Sequence, residues 1–126
     1  MDEFLAQYGA WALIAGASQG TGASFARQLA EKGLNLILVA RRQEPLDTLA
    51  KEIAEAHDVS CLTASIDLAG DDAADRMREA AAGREIGLLI LNAGADPNGS
   101  MFLDNEIANW DILARRNVIT VMRACH

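Results

Sequence analysis

A glycine-rich turn constrains the fold of this chain more than any other stretch of the sequence. The apolar run at residues 12–15 predicts a buried strand, and Gly16, Gly20 and Gly22 follow it at once. Apolar residues then recur at helical spacing over residues 23–30. A helix N-terminus offers unpaired N–H groups and a positive dipole end, and glycines let a ligand approach the backbone. The pattern predicts a phosphate-binding turn; the alternative is a tight strand–helix connection without a ligand.

Strands and helices alternate along the rest of the chain. Apolar runs at Asn35–Ala40, at residues 59–66 and at Ile86–Leu91 predict three further strands. Helical patterns begin at Glu44 with proline in the first turn, after Gly70, and at about Asn105. Residues 2–10 are expected to be a short lead-in that covers the sheet edge. The pattern predicts an α/β fold, a doubly wound parallel sheet of Rossmann type, in a single domain over residues 1–126.

Charge and composition exclude several classes of protein. Eighteen acidic residues against 11 basic ones give a net charge of −7, which argues against a general nucleic-acid binder and against docking on an anionic membrane. No apolar run approaches the roughly 20 residues of a membrane span, and no secretory signal is recognised. Cys61 and Cys125 match no metal pattern and are expected to be buried small hydrophobes, while His57 and His126 have no ligand-like partners. A cytoplasmic location and no metal site are expected.

Candidate binding residues stand where the predicted strands end. Gly16, Asp67 and Asn92 each follow a strand, and ligands of open α/β sheets bind outside the carboxyl ends of the strands. These residues are therefore expected to converge on one crevice. Asp67 has the alternative of a turn or helix-capping aspartate, and Asn92 the alternative of a residue that merely leaves the strand.

Four features in this order resemble the short-chain dehydrogenase/reductase family. They are the glycine turn, the Asp67-Leu68 pair, the Asn92-Ala93-Gly94 run, and the Trp110-Asp111 pair with Asn117 seven residues after the tryptophan. The resemblance implies that Asp67 contacts the adenine ring of a dinucleotide and that the Asn92 run lines its ribose. It also implies the strand order 3-2-1-4 and that Asn117 holds a water in the catalytic proton relay.

The end of the second strand decides the expected cofactor. A carboxylate about 20 residues past the glycine turn would favour NAD, but this chain has Ala40-Arg41-Arg42. Two guanidiniums suit a 2′-phosphate, and the Ser18 hydroxyl could add a contact. NADP(H) is therefore preferred over NAD(H); the alternative is that both arginines are solvated loop charges. The missing carboxylate also argues against an S-adenosylmethionine methyltransferase.

The predicted cofactor-binding residues are Gly16, Ser18, Gln19, Gly20, Thr21, Gly22, Arg41, Arg42, Asp67, Leu68, Asn92, Ala93 and Gly94. Asn117 is the one predicted catalytic residue, and its spacing from Trp110, Leu113 and Val121 is expected to turn it inward; the alternative is a buried asparagine bonded to local backbone. The family's catalytic serine, and its tyrosine and lysine in the spacing Y-x-x-x-K, have no counterpart here, since the only tyrosine is Tyr8. We therefore expect a truncated chain that is inactive alone.

Two functions are compatible with these features. The first is the cofactor-binding half of an NADP(H)-dependent oxidoreductase that acts on a small carbonyl or alcohol substrate in its full-length form. The second is a dinucleotide-binding or interaction module without catalysis. A reading frame that encodes Y-x-x-x-K downstream would favour the enzyme. Self-association is expected in either case, because the fourth strand would have an apolar, unpaired edge.

Overall fold

A computed structural model describes residues 3–18, 20–92 and 101–126. The predicted site residues Gln19, Ala93 and Gly94 lie outside the described residues. The described chain contains four strands: β1 (Trp11–Ala15), β2 (Asn35–Ala40), β3 (Cys61–Ser65) and β4 (Ile86–Leu91). They form one sheet in the order β3-β2-β1-β4, and every pair is parallel. The predicted fold class and strand order are confirmed.

Helices pack on both faces of this sheet. In chain order the helices of the described residues are α1 (Glu3–Tyr8), α2 (Gly20–Glu31), α3 (Gln43–His57), α4 (Ala73–Ala81), α5 (Ile107–Ala114) and α6 (Thr120–Cys125), of which α5 has no buried residue. A short 3₁₀ turn, Phe102–Asp104, precedes α5, and a π-helical turn, Arg115–Ile119, joins α5 to α6. None of these helices is long and apolar enough to cross a membrane.

The core lies in two layers because side chains alternate across a strand. On one face, Ile14 of β1 and Leu38 of β2 pack against α2 and α3, and the fully buried Leu46 of α3 belongs to the same cluster. On the other face, Leu13 and Val39 pack with the loop after β3 and with α4. The central strands β1 and β2 are buried on both faces, as expected for parallel strands covered by helices.

Local structure differs from expectation in detail at three places. The segment expected to be a short lead-in that covers the sheet edge forms helix α1 over residues 3–8. A Cβ on Gly87 would lie 1.6 Å from the Tyr8 carbonyl oxygen, so α1 ends directly against the start of the edge strand β4. Strand β3 covers Cys61–Ser65 rather than residues 59–66, because as an outer strand it pairs only with β2. Phe25 is 40% exposed and does not join the core face of α2.

The two cysteines differ in their environments. Cys61 is half-buried in β3, and this burial raises the pKa of its thiol to about 11, so the thiol stays protonated at neutral pH. Cys125 is exposed, and the expectation that it is buried was wrong. It lies near the end of α6, on the side that faces solvent in this structure.

Candidate functional site

Backbone hydrogen bonds align the carboxyl ends of the four strands. The Asn92 N–H donates to the Ala15 carbonyl at 2.9 Å, and the Gly16 N–H donates to the Val39 carbonyl at 2.8 Å. The Ile66 N–H donates to the Ala40 carbonyl at 3.0 Å. The sheet thus places the residues that follow β1, β2, β3 and β4 along one edge. Since neighbouring strands are about 4.8 Å apart, the ends of β3 and β4 are separated by about 14 Å, a span suited to an extended ligand.

The glycine turn brings helix α2 into direct contact with the end of β1. Gly16 has a φ of +83°, and a Cβ on Gly22 would lie 2.0 Å from the Gly16 carbonyl oxygen. Only a glycine at position 22 permits this approach. Gly20 has a φ of +61°, and its missing side chain faces open space with no atom within 4 Å. Helix α2 therefore begins at a residue whose Cβ position is open, and the N–H groups of a helix N-terminus can bind an anion.

An open groove of about 430 Å³ lies between α2 and α3, beside this turn. Ser18 and Arg42 line it together, so the structure brings together two of the residues predicted to hold a 2′-phosphate. Arg27 and Glu52 also line the groove and form an ion pair with a nitrogen–oxygen distance of 3.6 Å. Both of those side chains are more than half exposed, so the pair adds little stability and leaves little net charge there.

The two arginines after β2 differ in position. Arg42 precedes the first turn of α3 and lines the groove, whereas Arg41 does not. The Arg41 carbonyl accepts a hydrogen bond from the Ser65 hydroxyl at 2.7 Å, which ties the end of β2 to β3. Neither guanidinium forms a hydrogen bond or ion pair with another described residue, and both residues are exposed. Their charges are therefore available to a ligand.

Asp67 lies at the outer end of this edge, after β3. One of its carboxylate oxygens accepts the Ala69 N–H at 3.0 Å, and its carbonyl accepts the Gly70 N–H at 2.9 Å. Asp67 is thus a turn aspartate, as one sequence alternative held, but it remains exposed and its second carboxylate oxygen has no partner among the described residues. Leu68 is buried, and its side chain packs in the core. Thr21 is exposed in the first turn of α2, and Asn92 is half-buried.

Asn117 does not point inward. It lies within the π turn and is exposed, and its side chain forms no hydrogen bond with another described residue. The expectation of an inward side chain was wrong, because the wider π turn shifts Asn117 off the helix face that Trp110 and Leu113 share. The alternative, a buried asparagine that bonds to local backbone, was also wrong. The π turn itself was missed from sequence. Such turns occur frequently at functional sites.

Two further hollows lie between α4 on one side and the π turn and α6 on the other, beside the loop after β3. Their volumes are about 200 Å³ and 390 Å³, and residues such as Asp71 and Arg123 line both. Neither contains a predicted cofactor-binding residue. Among residues 3–18, 20–92 and 101–126, no group of three or more histidine, cysteine or acidic side chains could hold a metal ion.

The chain belongs to the short chain dehydrogenase family, an oxidoreductase family whose model matches residues 10–126. It is 47% identical over 89 residues to a very-long-chain 3-oxoacyl-CoA reductase from Neurospora crassa, covering 68% of this chain and 27% of that protein. It is 39% identical over 114 residues to an inactive hydroxysteroid dehydrogenase-like protein 1 from Rattus norvegicus, covering 88% of this chain and 34% of that protein.

A solved structure with a bound nucleotide is also similar. The short-chain dehydrogenase from Sphingobium yanoikuyae, in complex with NADPH, aligns with a TM-score of 0.85 at 29% identity. That alignment covers 92% of this chain and 46% of the other. The chain therefore spans about half of this solved relative, and about a third or less of the two curated relatives above.

Proposed function

We propose that this chain is the cofactor-binding part of an NADP(H)-dependent oxidoreductase that interconverts a carbonyl compound and an alcohol. One observation carries the proposal: the open glycine turn and the groove with Ser18 and Arg42 adjoin each other at the carboxyl edge of the sheet. The fold places ligands of this type at that edge. The NADPH bound to the S. yanoikuyae relative adds support from within the family.

The residues at this edge fit the separate parts of a dinucleotide phosphate. The N–H groups of Gly20, Thr21 and Gly22 would donate to the diphosphate, since the free volume beside Gly20 admits it. Arg42 and Ser18 would bind the 2′-phosphate, with Arg41 adding charge. The free carboxylate oxygen of Asp67 would accept from the adenine amino group. When bound, NADPH would donate a hydride to the carbonyl compound, and NADP+ would accept one from the alcohol.

Ribose binding and the catalytic step depend on the remaining predicted residues. Asn92, held at the end of β4 by its bond to Ala15, would contact the ribose together with Ala93 and Gly94. Asn117 would hold a water for proton transfer. The sequence contains no Y-x-x-x-K, so we propose that these 126 residues bind the cofactor without completing proton transfer themselves.

Exposed apolar surface supports self-association as part of the same proposal. Strand β4 is at the edge of the described sheet, and the end of α1 lies against Gly87 in that strand. Val118 in the π turn and Met122 in α6 are each more than 60% exposed. Surfaces of this kind favour contact with another chain or segment. A cytoplasmic location belongs to the proposal as well.

A module without catalysis is the second candidate. The observation that favours it is the 39% identity to a relative named as an inactive hydroxysteroid dehydrogenase-like protein, over 88% of this chain. Both candidates bind a dinucleotide at the same edge. The coding sequence downstream of codon 126 separates them: an open frame with Y-x-x-x-K supports the oxidoreductase, and its absence supports the module.

Cofactor selectivity tests the proposed function directly. NADPH is expected to bind at least about tenfold more tightly than NADH, which corresponds to about 1.4 kcal/mol from the 2′-phosphate. Arg42→Ala is expected to remove most of this preference, because Arg42 lines the groove with Ser18, and Arg41→Ala a smaller part. Isothermal titration calorimetry with both nucleotides measures the ratio.

The matched control for this test is Arg84→Ala. Arg84 is an exposed arginine that lies over the Trp11 ring at the start of β1, the opposite edge of the sheet, and its removal changes the net charge by the same amount. The control is expected to leave the NADPH/NADH ratio unchanged. Equal affinity for the two nucleotides in the unaltered chain, or an unchanged ratio in Arg42→Ala, would contradict the assignment.

A further inference from the structure

The π turn and helix α6 contact the loop after β3 through three of their side chains, Arg115, Thr120 and Arg123. The Thr120 hydroxyl donates to the Leu68 carbonyl at 2.6 Å, and Thr120 is only 5% exposed. The Arg115 guanidinium pairs with the Asp71 carboxylate, and the Arg123 guanidinium lies 3.4 Å from the Asp71 carbonyl oxygen. Thr120 is the buried contact among these three, and the two arginine contacts are exposed. We call the Thr120–Leu68 hydrogen bond the latch.

The π turn directs Thr120 toward the loop. The Thr120 N–H donates to the Arg115 carbonyl, five residues back, rather than to the carbonyl four residues back. Because the turn contains one extra residue, Thr120 lies about 100° around the helix from where an uninterrupted α-helix would place it. A helical threonine commonly bonds the carbonyl four residues back, but here the hydroxyl bonds the loop.

The two sides of the latch belong to different parts of the proposed site. Leu68 is adjacent to Asp67, which would contact adenine, and the π turn that ends before Thr120 carries Asn117. If the loop at residues 66–72 moved alone, the buried Thr120 hydroxyl would lose its acceptor, the Leu68 carbonyl, and an unsatisfied buried hydroxyl is costly. Joint movement of the loop and the π turn is therefore favoured.

From this geometry we propose that Thr120 is a positioning residue that couples adenine binding at the loop to the placement of Asn117. The inference rests on the proposed function, since it assigns the loop to adenine and Asn117 to catalysis. Coupling of this kind is reciprocal: a ligand that orders the loop must also order the π turn.

Amide hydrogen exchange with AMP as the probe tests this coupling in the 126-residue chain. AMP carries the adenine, one ribose and one phosphate but neither the nicotinamide nor the 2′-phosphate, so no part of it is proposed to contact residues 115–120. In the unaltered chain, saturating AMP is expected to slow exchange of the amides at residues 115–120 at least threefold, in addition to those at residues 66–72.

Four variants separate coupling from general destabilisation. Thr120→Val, which keeps the shape but loses the hydroxyl, is expected to abolish the slowing at residues 115–120 and to raise the Kd for AMP about fivefold. Thr120→Ser is expected to restore both. The control Thr63→Val also removes a hydroxyl, one that bonds Asp47 on α3, and is expected to change neither. Arg115→Gln removes an exposed ion pair and serves as the test if Thr120→Val does not fold. It is expected to reduce in part the slowing of amide exchange that AMP causes at residues 115–120.

The outcomes distinguish this inference from the proposed function. If AMP binds and slows exchange at residues 66–72 but not at residues 115–120, the coupling is overturned and the binding site stands. The coupling is also overturned if AMP slows amide exchange at residues 115–120 in Thr120→Val as much as it does in the unaltered chain. If AMP does not bind the unaltered chain at all, the coupling is overturned, and the proposed function is decided separately by the titration with NADPH and NADH.

Discussion

Gly22→Ala is expected to lower the melting temperature of the chain by roughly 10 °C or more and to abolish NADPH binding. The added Cβ would lie 2.0 Å from the Gly16 carbonyl oxygen and 3.1 Å from the Ala17 Cα, both backbone atoms that cannot rotate away. Relief requires α2 to move off the end of β1, at a cost of about 3 kcal/mol or more. In a domain of this size each kcal/mol lowers the melting temperature by roughly 4 °C or more.

Thermal unfolding followed by circular dichroism measures this effect. The control is Ser24→Ala, an exposed position two residues further along α2 whose hydroxyl accepts a hydrogen bond from Gln28 of the same helix. That variant is expected to melt within a few degrees of the unaltered chain. A Gly22→Ala chain that melts at the same temperature and binds NADPH would show that α2 does not pack on the turn as the structure has it.

Gly20→Ala is expected to weaken NADPH binding at least tenfold while costing only about 1 kcal/mol of stability. Gly20 has a φ of +61°, and its Cβ position faces open space with no atom within 4 Å. An alanine there is strained by its backbone conformation but meets no neighbour. It would instead occupy the volume beside the first N–H groups of α2, where the diphosphate is proposed to lie.

Gly83→Ala provides a matched control for this substitution. Gly83 has a φ of +79° and likewise no atom within 4 Å of the added Cβ, so the strain is similar. It follows α4, away from the carboxyl edge of the sheet. Calorimetry and thermal melting of both variants should give similar losses of stability but a loss of NADPH affinity in Gly20→Ala alone. Similar NADPH affinities in the two variants would exclude the glycine turn as the phosphate site.

Features that depend on short stretches of sequence were predictable. The glycine turn, the two-faced burial of β2 and the alternation of strands with helices follow from local apolar patterns, and together with the family resemblance they gave the sheet order. The convergence of Gly16, Asp67 and Asn92 on one edge then follows from parallel pairing alone.

Features that depend on distant contacts were not predictable. The π turn and the exposure of Asn117 accompany contacts of Arg115 and Thr120 with residues 44 and 52 positions earlier, and no spacing within the helix reveals such contacts. Helix α1 has only six residues, too few to show a helical period. The difference between Arg41 and Arg42 likewise depends on how α3 begins against the groove.

Mapping of bound NADPH by amide chemical shifts tests the central claim, that the carboxyl edge of this sheet is one dinucleotide site. The account predicts that saturating NADPH shifts the amide signals at that edge, namely those of Gly16, Ser18, Gly20, Thr21, Gly22, Arg42, Asp67, Leu68 and Asn92. The signals of Trp11, Asn35 and Arg84, at the opposite edge, should remain in place. Shifts concentrated at the opposite edge, or no shifts at saturating NADPH, would contradict the account.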